Sequence, residues 1–169
     1  MTGQPPSHNP VPPRRVYASW WVRVAAGSVD AVPLVVGWGI WEAWAISSAS
    51  LHCTTHDNGG VSCSALPSPV ADLTFALMVT LTCGYVLWNH GYRQGVRGSS
   101  IGKSLLRVRV VDERHWQPLG FSASVLRQVL HLIDVVVCFV GFLFPLWDTR
   151  RQTLADKLMG TVCVPQVHS

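Results

Sequence analysis

Two charged residues interrupt an apolar stretch near the start of the chain, between Trp20 and Trp44. Arg23 and Asp30 are seven residues apart, so in a helix they share one face. A charged side chain at the centre of a bilayer costs at least about 2.5–3.5 kcal/mol. Asp30 therefore requires a positively charged partner, a proton or a water-filled cavity.

A second pair of charges lies in an apolar segment at 122–147, where Arg127 and Asp134 also share one helix face. Arg127 is the best partner for Asp30, because the side chain of Arg23 leans towards the helix N-terminus and away from Asp30. We therefore predict an ion-pair network that fixes helix packing. Two alternatives stay open: Asp30 titrates and moves a proton or cation, or Arg23 and Arg127 bind anionic lipid headgroups.

The elements that carry these residues are three apolar segments, at about 20–46, 70–90 and 122–147. The chain is 49 % hydrophobic and only 13 % charged, whereas soluble domains are about 25 % charged. From Trp20 to Trp41 a helix spans roughly 31 Å, the thickness of a hydrocarbon core, with tryptophans at both ends. The composition predicts an all-α integral membrane protein, a helical transmembrane bundle.

The third segment fits neither one crossing nor two. Its 26 residues are too few for two crossings. A single crossing would place Arg150, Arg151 and Lys157 outside, against the positive-inside rule. We predict a break near Asp134, with the first half at the inner interface and the second half dipping into the membrane or crossing it.

The distribution of basic residues predicts the topology. The loop 47–67 contains no Lys or Arg, whereas basic residues precede the first span and follow the second. The positive-inside rule then places the Pro-rich, disordered N-terminus 1–17 in the cytoplasm and the loop outside a cytoplasmic (inner) membrane. The net charge of +4 fits such loops, and no base-reading module indicates a nucleic-acid partner.

Two cysteines lie in that outer loop, Cys53 and Cys63. On an oxidising side of the membrane they are candidates for a disulfide, although two free thiols are an equal alternative. His52, His56 and Asp57 lie close by in the sequence. The spacing of the five residues matches no standard zinc pattern, so we expect no metal site.

The stretch between the second and third segments resembles a phosphate-binding loop but has the wrong spacing. Gly98–Ser104 has three residues before its Gly-Lys pair, where a nucleotide-binding loop has four. Further on, Leu106–Val110 and Thr161–Val164 are patterned as strands, and we predict that they pair as a small cytoplasmic β element. Since no catalytic triad order or metal-binding helix is present, we expect no enzyme, no catalytic residue and no cofactor.

The chain resembles the RDD family of multi-pass membrane proteins, which is named for one arginine and two aspartates. The stretches that carry the resemblance are Trp21–Asp30, Gly98–Asp112, Leu126–Arg127 with Asp134, and Arg150–Asp156 running on to Gly160–Val162. The resemblance implies an RDD-type membrane domain over 18–165, with Arg23, Asp30 and Asp156 as the naming residues. The Pro-rich N-terminus is similar to that of actinobacterial members, whereas the cysteine pair departs from the common pattern.

The resemblance also implies a transport-related role. Because three apolar segments leave little room for a pathway in a monomer, we expect an accessory or structural subunit of a membrane transport system. The alternative is a small proton-coupled or ion transporter that acts as an oligomer. The expected partners are the lipid bilayer, anionic lipid headgroups, and other membrane proteins or further copies of this chain.

Overall fold

A computed structural model describes residues 17–66, 68–136 and 140–166. Residues 1–16, where the sequence predicts disorder, lie outside the described residues. The helices are α1 (Trp20–Ser47), α2 (Pro69–Val86), α3 (Gln94–Arg97), α4 (Ile101–Leu105), α5 (Phe121–Val136), α6 (Val140–Leu143) and α7 (Leu154–Met159). A π-helical turn, Leu87–Arg93, joins α2 to α3, and a 3-10 turn, Phe144–Leu146, follows α6. The strands are β1 (Ser50–Thr55), β2 (Val61–Leu66), β3 (Val108–Asp112) and β4 (Thr161–Pro165).

Two helices are long and apolar enough to cross a membrane: α1, with 28 residues, and the continuous helix Pro69–Arg97, with 29. Only 11 % and 6 % of their most apolar windows are buried inside the protein, whereas the core helix of a soluble protein would be mostly buried. The two helices run antiparallel and are joined by indole–hydroxyl hydrogen bonds, from Trp38 to Thr82 and from Trp41 to Thr74. These features support a helical membrane protein.

The segment between the two long helices is a β-hairpin, so the sequence prediction of an irregular loop there was wrong. β1 and β2 pair antiparallel, with Cys53 opposite Cys63. The turn is closed by a hydrogen bond from the His56 amide to the Gly60 carbonyl, and Gly59 takes a φ of 79° that glycine adopts without steric cost. A tight glycine turn between two Thr- and Val-containing runs is a hairpin signal.

The predicted pairing of the two later strands is confirmed; the first strand lies two residues later than predicted, and the second ends one residue later. β3 and β4 form an antiparallel pair in which Val110 lies opposite Cys163. The Ala18 amide donates to the Cys163 carbonyl at 2.8 Å, so the residues before α1 extend the edge of β4. Tyr17, with 3 % of its surface exposed, packs into this core. Tyr17, which the sequence pattern assigns to the disordered N-terminus, is therefore part of this core.

The third apolar segment contains a break close to the predicted position. α5 ends at Val136 and α6 begins at Val140, and 137–139 lie outside the described residues. A methyl group built on Gly141 would collide with the Asp134 carboxylate. Residues seven apart in one straight helix would be about 10 Å apart along its axis, so Asp134 and Gly141 do not lie on one straight helix.

The helix α5 is amphipathic and faces inward with its polar side. Ser124, Arg127 and Asp134 are buried, whereas Leu126 and Val129 are about half exposed. We call α4, α5, α7 and the β3–β4 sheet the polar core. It packs against the first part of α1, and the hairpin lies beyond the other end of that helix.

The contact between α4 and α1 depends on one glycine. A Cβ on Gly102 would collide with the carbonyl oxygen of Ala26, which is completely buried. Small residues at such a contact let two backbones approach closely. The backbone of α4 therefore lies directly against α1, close enough for its amide groups to reach side chains on that helix.

We predict that Gly102→Ala lowers the melting temperature of the detergent-solubilised protein. The added methyl group must push α4 away from α1, and overpacking of this kind costs about 1–3 kcal/mol. Gly39→Ala is the matched control, because nothing lies within 4 Å of a Cβ built there. Equal melting of the two variants would contradict the close contact.

Candidate functional site

The carboxylate of Asp156 is the centre of a buried ion-pair network. Its Oδ1 accepts two hydrogen bonds from Arg127, from Nε at 2.8 Å and from Nη2 at 2.6 Å. Its Oδ2 accepts from Arg23 Nη1 at 2.7 Å. Thr161 Oγ1 and the Thr153 amide donate the remaining bonds. Five donors from three parts of the chain therefore converge on one completely buried carboxylate.

Local sequence places this carboxylate at the start of α7. Thr153 is the N-cap of α7, and Asp156 closes a reciprocal capping box with it. Gly160 ends the helix in the left-handed conformation, so the chain turns at once into β4. The short helix thus presents the Asp156 side chain to α1 and α5.

The charges of the network favour the ionised carboxylate. Burial alone would raise the pKa of Asp156, but the adjacent guanidinium groups of Arg127 and Arg23 lower it well below its usual range. Arg127 is only 4 % exposed, and such a group needs a counter-charge when it is out of water. Two buried cations share a single anion here.

Asp30 is bound by neutral donors. Its Oδ1 accepts from the Gly102 amide at 2.7 Å and from Asn89 Nδ2 at 2.9 Å, and its Oδ2 accepts from Ser100 Oγ at 2.5 Å. Tyr85 also donates its hydroxyl to the Asp30 carbonyl. The side chain is 3 % exposed and joins α1 to α4 and to the π-helical turn.

The predicted contact between Asp30 and Arg127 was therefore wrong, because Arg127 binds Asp156. The physical reason is that amide groups at a helix start, with their partial positive charge, stabilise a carboxylate without a full cation. Arg23 and Asp30 share a helix face but bind different partners.

Asp134 lies beside the network without joining it. Its Oδ2 is 2.7 Å from His131 Nδ1, and the side chain of Asp134 is completely buried between α5 and Gly141 of α6. The ring of His131 stacks on Phe142. The polar face of α5 therefore binds α7 through Arg127 and faces α6 through Asp134.

Sequence reasoning missed the donors that hold Asp30. The stretch from Gly98 to Ser104 was rejected as a nucleotide-binding loop because of its spacing, yet its helix start does bind an anion, the carboxylate of Asp30. Ser100 is also the N-cap of α4, with its Oγ accepting from the Lys103 amide. The signal was present in the sequence: a glycine- and serine-rich turn before a helix is an anion-binding arrangement whatever the anion.

A cavity of about 320 Å³ lies beside Asp30 and is lined by parts of α1, α5 and α6. Its charged lining includes Arg23, Arg127, Lys103 and Asp30. The Lys103 ammonium donates to Gln94 Oε1 at 2.7 Å. Burial, followed by the nearby Arg127, lowers the pKa of Lys103 to about 8. Among the described residues, the lining therefore contains three basic side chains, Arg23, Lys103 and Arg127, and one carboxylate, Asp30.

The β1–β2 hairpin contains a disulfide bond between Cys53 and Cys63. Both cysteines are therefore unavailable to the zinc set that His52, His56 and Asp57 would complete. His56 instead lies within hydrogen-bond distance of Ser62, with Nε2 at 2.8 Å from Oγ. Within the described ranges no group of three or more His, Cys, Asp or Glu side chains has metal-binding geometry.

Comparison with known proteins identifies the family. The sequence model of the RDD family matches residues 17–160 of this chain. The chain belongs to the RDD family. Arg23, Asp30, Arg127 and Asp156 all lie within the matched residues. No solved structure matches the chain.

Curated relatives of this RDD protein come from three bacteria. A Mycobacterium tuberculosis protein named proline-rich antigen homolog is 48 % identical over 157 residues, which is 90 % of this chain and 65 % of that protein. The proline-rich antigen of Mycobacterium leprae is 42 % identical over 90 % of this chain and 63 % of its own length. An uncharacterised Rickettsia prowazekii protein is 26 % identical over 54 % of this chain and 49 % of its own length. This chain spans less than two thirds of the length of these relatives.

We predict that Asp156→Asn strongly destabilises the protein. The substitution leaves Arg23 and Arg127 buried without a counter-charge, and breaking a buried pair in this way typically costs about 3–5 kcal/mol. Asp72→Asn is the matched control, because Asp72 is exposed in the first turn of α2 and surface changes stay within about 0.5 kcal/mol. Unfolding in detergent would be measured for both variants; equal stability would refute the structural importance of the network.

Proposed function

We propose that this RDD protein is a non-enzymatic accessory or structural subunit of a membrane transport system. The observation that carries the proposal is the uncovered outer surface of the two long helices. Val35 and Ile40 on α1 are each 68 % exposed, and Leu73 on α2 is 73 % exposed. These faces offer surfaces for lipid and for the helices of a larger membrane protein.

The arrangement of charges favours an accessory or structural role over transport by a single copy of the protein. Between Asp30 and Trp41, and between Asp72 and His90, neither long helix contains a charged residue. Proton and ion pathways through membranes are marked by ionisable groups in the spanning segments. Asp30 and Asp156 are both fully engaged at the polar-core end of α1, where they tie elements together.

The alternative function is a small proton-coupled or ion transporter that acts as an oligomer. The observation in its favour is that Asp30 lines a cavity, where a mobile cation would meet a carboxylate. In that case a second copy would supply the missing half of the pathway along the exposed faces of α1 and α2.

Photo-crosslinking in cells separates these two functions. A photoreactive side chain at Val35 or Leu73 faces outward from its helix, and the matched control position is Trp116, which is exposed on the polar core. We expect adducts with one other membrane protein from the helix positions. Adducts with further copies of this chain alone, together with ion flux after reconstitution into liposomes, would contradict the accessory role and support the transporter.

We further propose a multi-pass protein of the cytoplasmic membrane, with the polar core in the cytoplasm and the β1–β2 hairpin outside. The hairpin contains no Lys or Arg and carries the disulfide, which suits an oxidising compartment. We predict that protease added to spheroplasts cuts a cleavage site inserted at Asn58, in the hairpin turn. It should spare the same site inserted at Trp116, and the opposite pattern would reverse the topology.

A further inference from the structure

The cavity beside α1 has a cationic part and an apolar part. Arg23, Lys103 and Arg127 supply the positive groups, and the apolar part of the lining includes Trp20 and Val24 of α1. The Trp20 indole donates to the Phe142 carbonyl at 2.8 Å, so α1 and α6 are joined at one end of the cavity. An interior of this kind fits a ligand that is charged at one end and apolar at the other.

The guanidinium of Arg23 has unused hydrogen-bond donors. Its Nη1 binds Asp156, but Nε and Nη2 are buried and have no hydrogen-bond partner among the described residues. The side chain as a whole is only 11 % exposed. A buried donor without a partner is destabilising, more so in a charged group. Arg23 therefore has two N–H-bearing nitrogens available for an acceptor inside the cavity.

Two carboxylates lie next to the cations of the cavity, Asp30 in the lining and Asp156 in its ion pairs with Arg23 and Arg127, and neither satisfies this demand. Both oxygens of Asp156 are occupied by its five donors, and Asp30 is held by Asn89, Ser100 and Gly102. The described lining contains the three cations Arg23, Lys103 and Arg127 and one carboxylate, Asp30. Asp156 adds a second carboxylate, which is bound to Arg23 and Arg127. Asp134 is not part of the lining and contacts His131. One positive charge is left over, and the group that would neutralise it is an anion.

The way into the cavity lies on an apolar surface. Gly27 and Val24, which line the cavity, are both exposed on α1. Apolar side chains are exposed on two of the helices that line the cavity, with Trp21 of α1 71 % exposed and Val129 of α5 53 % exposed. A ligand that arrives along a bilayer would meet this opening directly. At about 320 Å³ the cavity is near the lower end of ligand pockets, which run from about 300 to 1,000 Å³, so it suits a headgroup.

We propose that this cavity is a binding site for a phosphate-bearing anion, presented by the headgroup of an anionic phospholipid. Arginine suits this ligand because its planar guanidinium donates two parallel hydrogen bonds to phosphate oxygens. Nε and Nη2 of Arg23 supply the direct contact, and Lys103 and Arg127 supply positive charge. Trp20 and Val24 contact the glycerol and the first carbons of the acyl chains. This site requires no protein partner and stands independently of the proposed accessory role.

A cavity-filling substitution tests the site without breaking the ion pairs. Gly27 has nothing within 4 Å of a Cβ built on it, so the side chain of Gly27→Leu enters the cavity and leaves Arg23 and Asp156 in place. Gly39→Leu is the matched control, because Gly39 lies on the same helix, is equally open and is not part of the lining. The parent and both variants would be purified in detergent and tested for the gain in melting temperature on adding a ligand. The ligands are dioleoylphosphatidylglycerol, dioleoylphosphatidylcholine and inorganic phosphate.

We expect phosphatidylglycerol to stabilise the parent and Gly39→Leu and to leave Gly27→Leu unchanged, with phosphatidylcholine giving little effect on any of them. Stabilisation by inorganic phosphate alone, lost in Gly27→Leu, would keep the anion site and replace its source by a water-borne phosphate. Equal stabilisation by the two lipids would overturn the requirement for an anion. Undiminished stabilisation of Gly27→Leu would overturn the assignment to this cavity, and no ligand effect on the parent would overturn the site itself.

Discussion

One buried carboxylate connects the distant parts of this chain. Asp156 accepts hydrogen bonds from Arg23 near the start of α1 and from Arg127 in the middle of α5, which are separated from it by 133 and 29 residues. Taking two guanidinium groups out of water is costly, and the shared carboxylate repays that cost only while all three elements stay together. The network therefore fixes where α5 and α7 dock on the membrane helix.

The buried carboxylate of α1 itself, Asp30, is stabilised by different chemistry. Asp30 is stabilised by an amide, a hydroxyl and a carboxamide, which all come from the segment 89–102. This segment can reach the carboxylate only because Gly102 lets α4 lie against the backbone of α1. Together the two carboxylates attach the polar core to α1 at Arg23 and Asp30, about two turns apart, and both of these residues line the cavity.

Much of the fold was predictable from the residues, whereas the pairing of charges was not. Apolar length predicted the two long helices, alternation predicted the β3–β4 pair, and the basic residues that follow the third segment predicted its break. The Asp30 prediction failed because helical periodicity places a side chain on a face and says nothing about which distant donors lie opposite. Only the fold shows that Gly98–Ser104, which does not fit a nucleotide-binding loop, supplies two of those donors, Ser100 and Gly102. The polar composition of 47–67 favoured a loop, although the Asn58–Gly59 pair within this segment is a hairpin signal.

The pairing of Arg127 is best tested by two double-mutant cycles on the free energy of unfolding in detergent. One combines Arg127→Met with Asp156→Asn, and the other combines Arg127→Met with Asp30→Asn. Residues in one ion-pair network typically show coupling energies of about 0.5–3 kcal/mol. The structure predicts coupling in that range for Arg127 with Asp156 and a clearly smaller value for Arg127 with Asp30. Stronger coupling of Arg127 to Asp30 than to Asp156 would contradict the network.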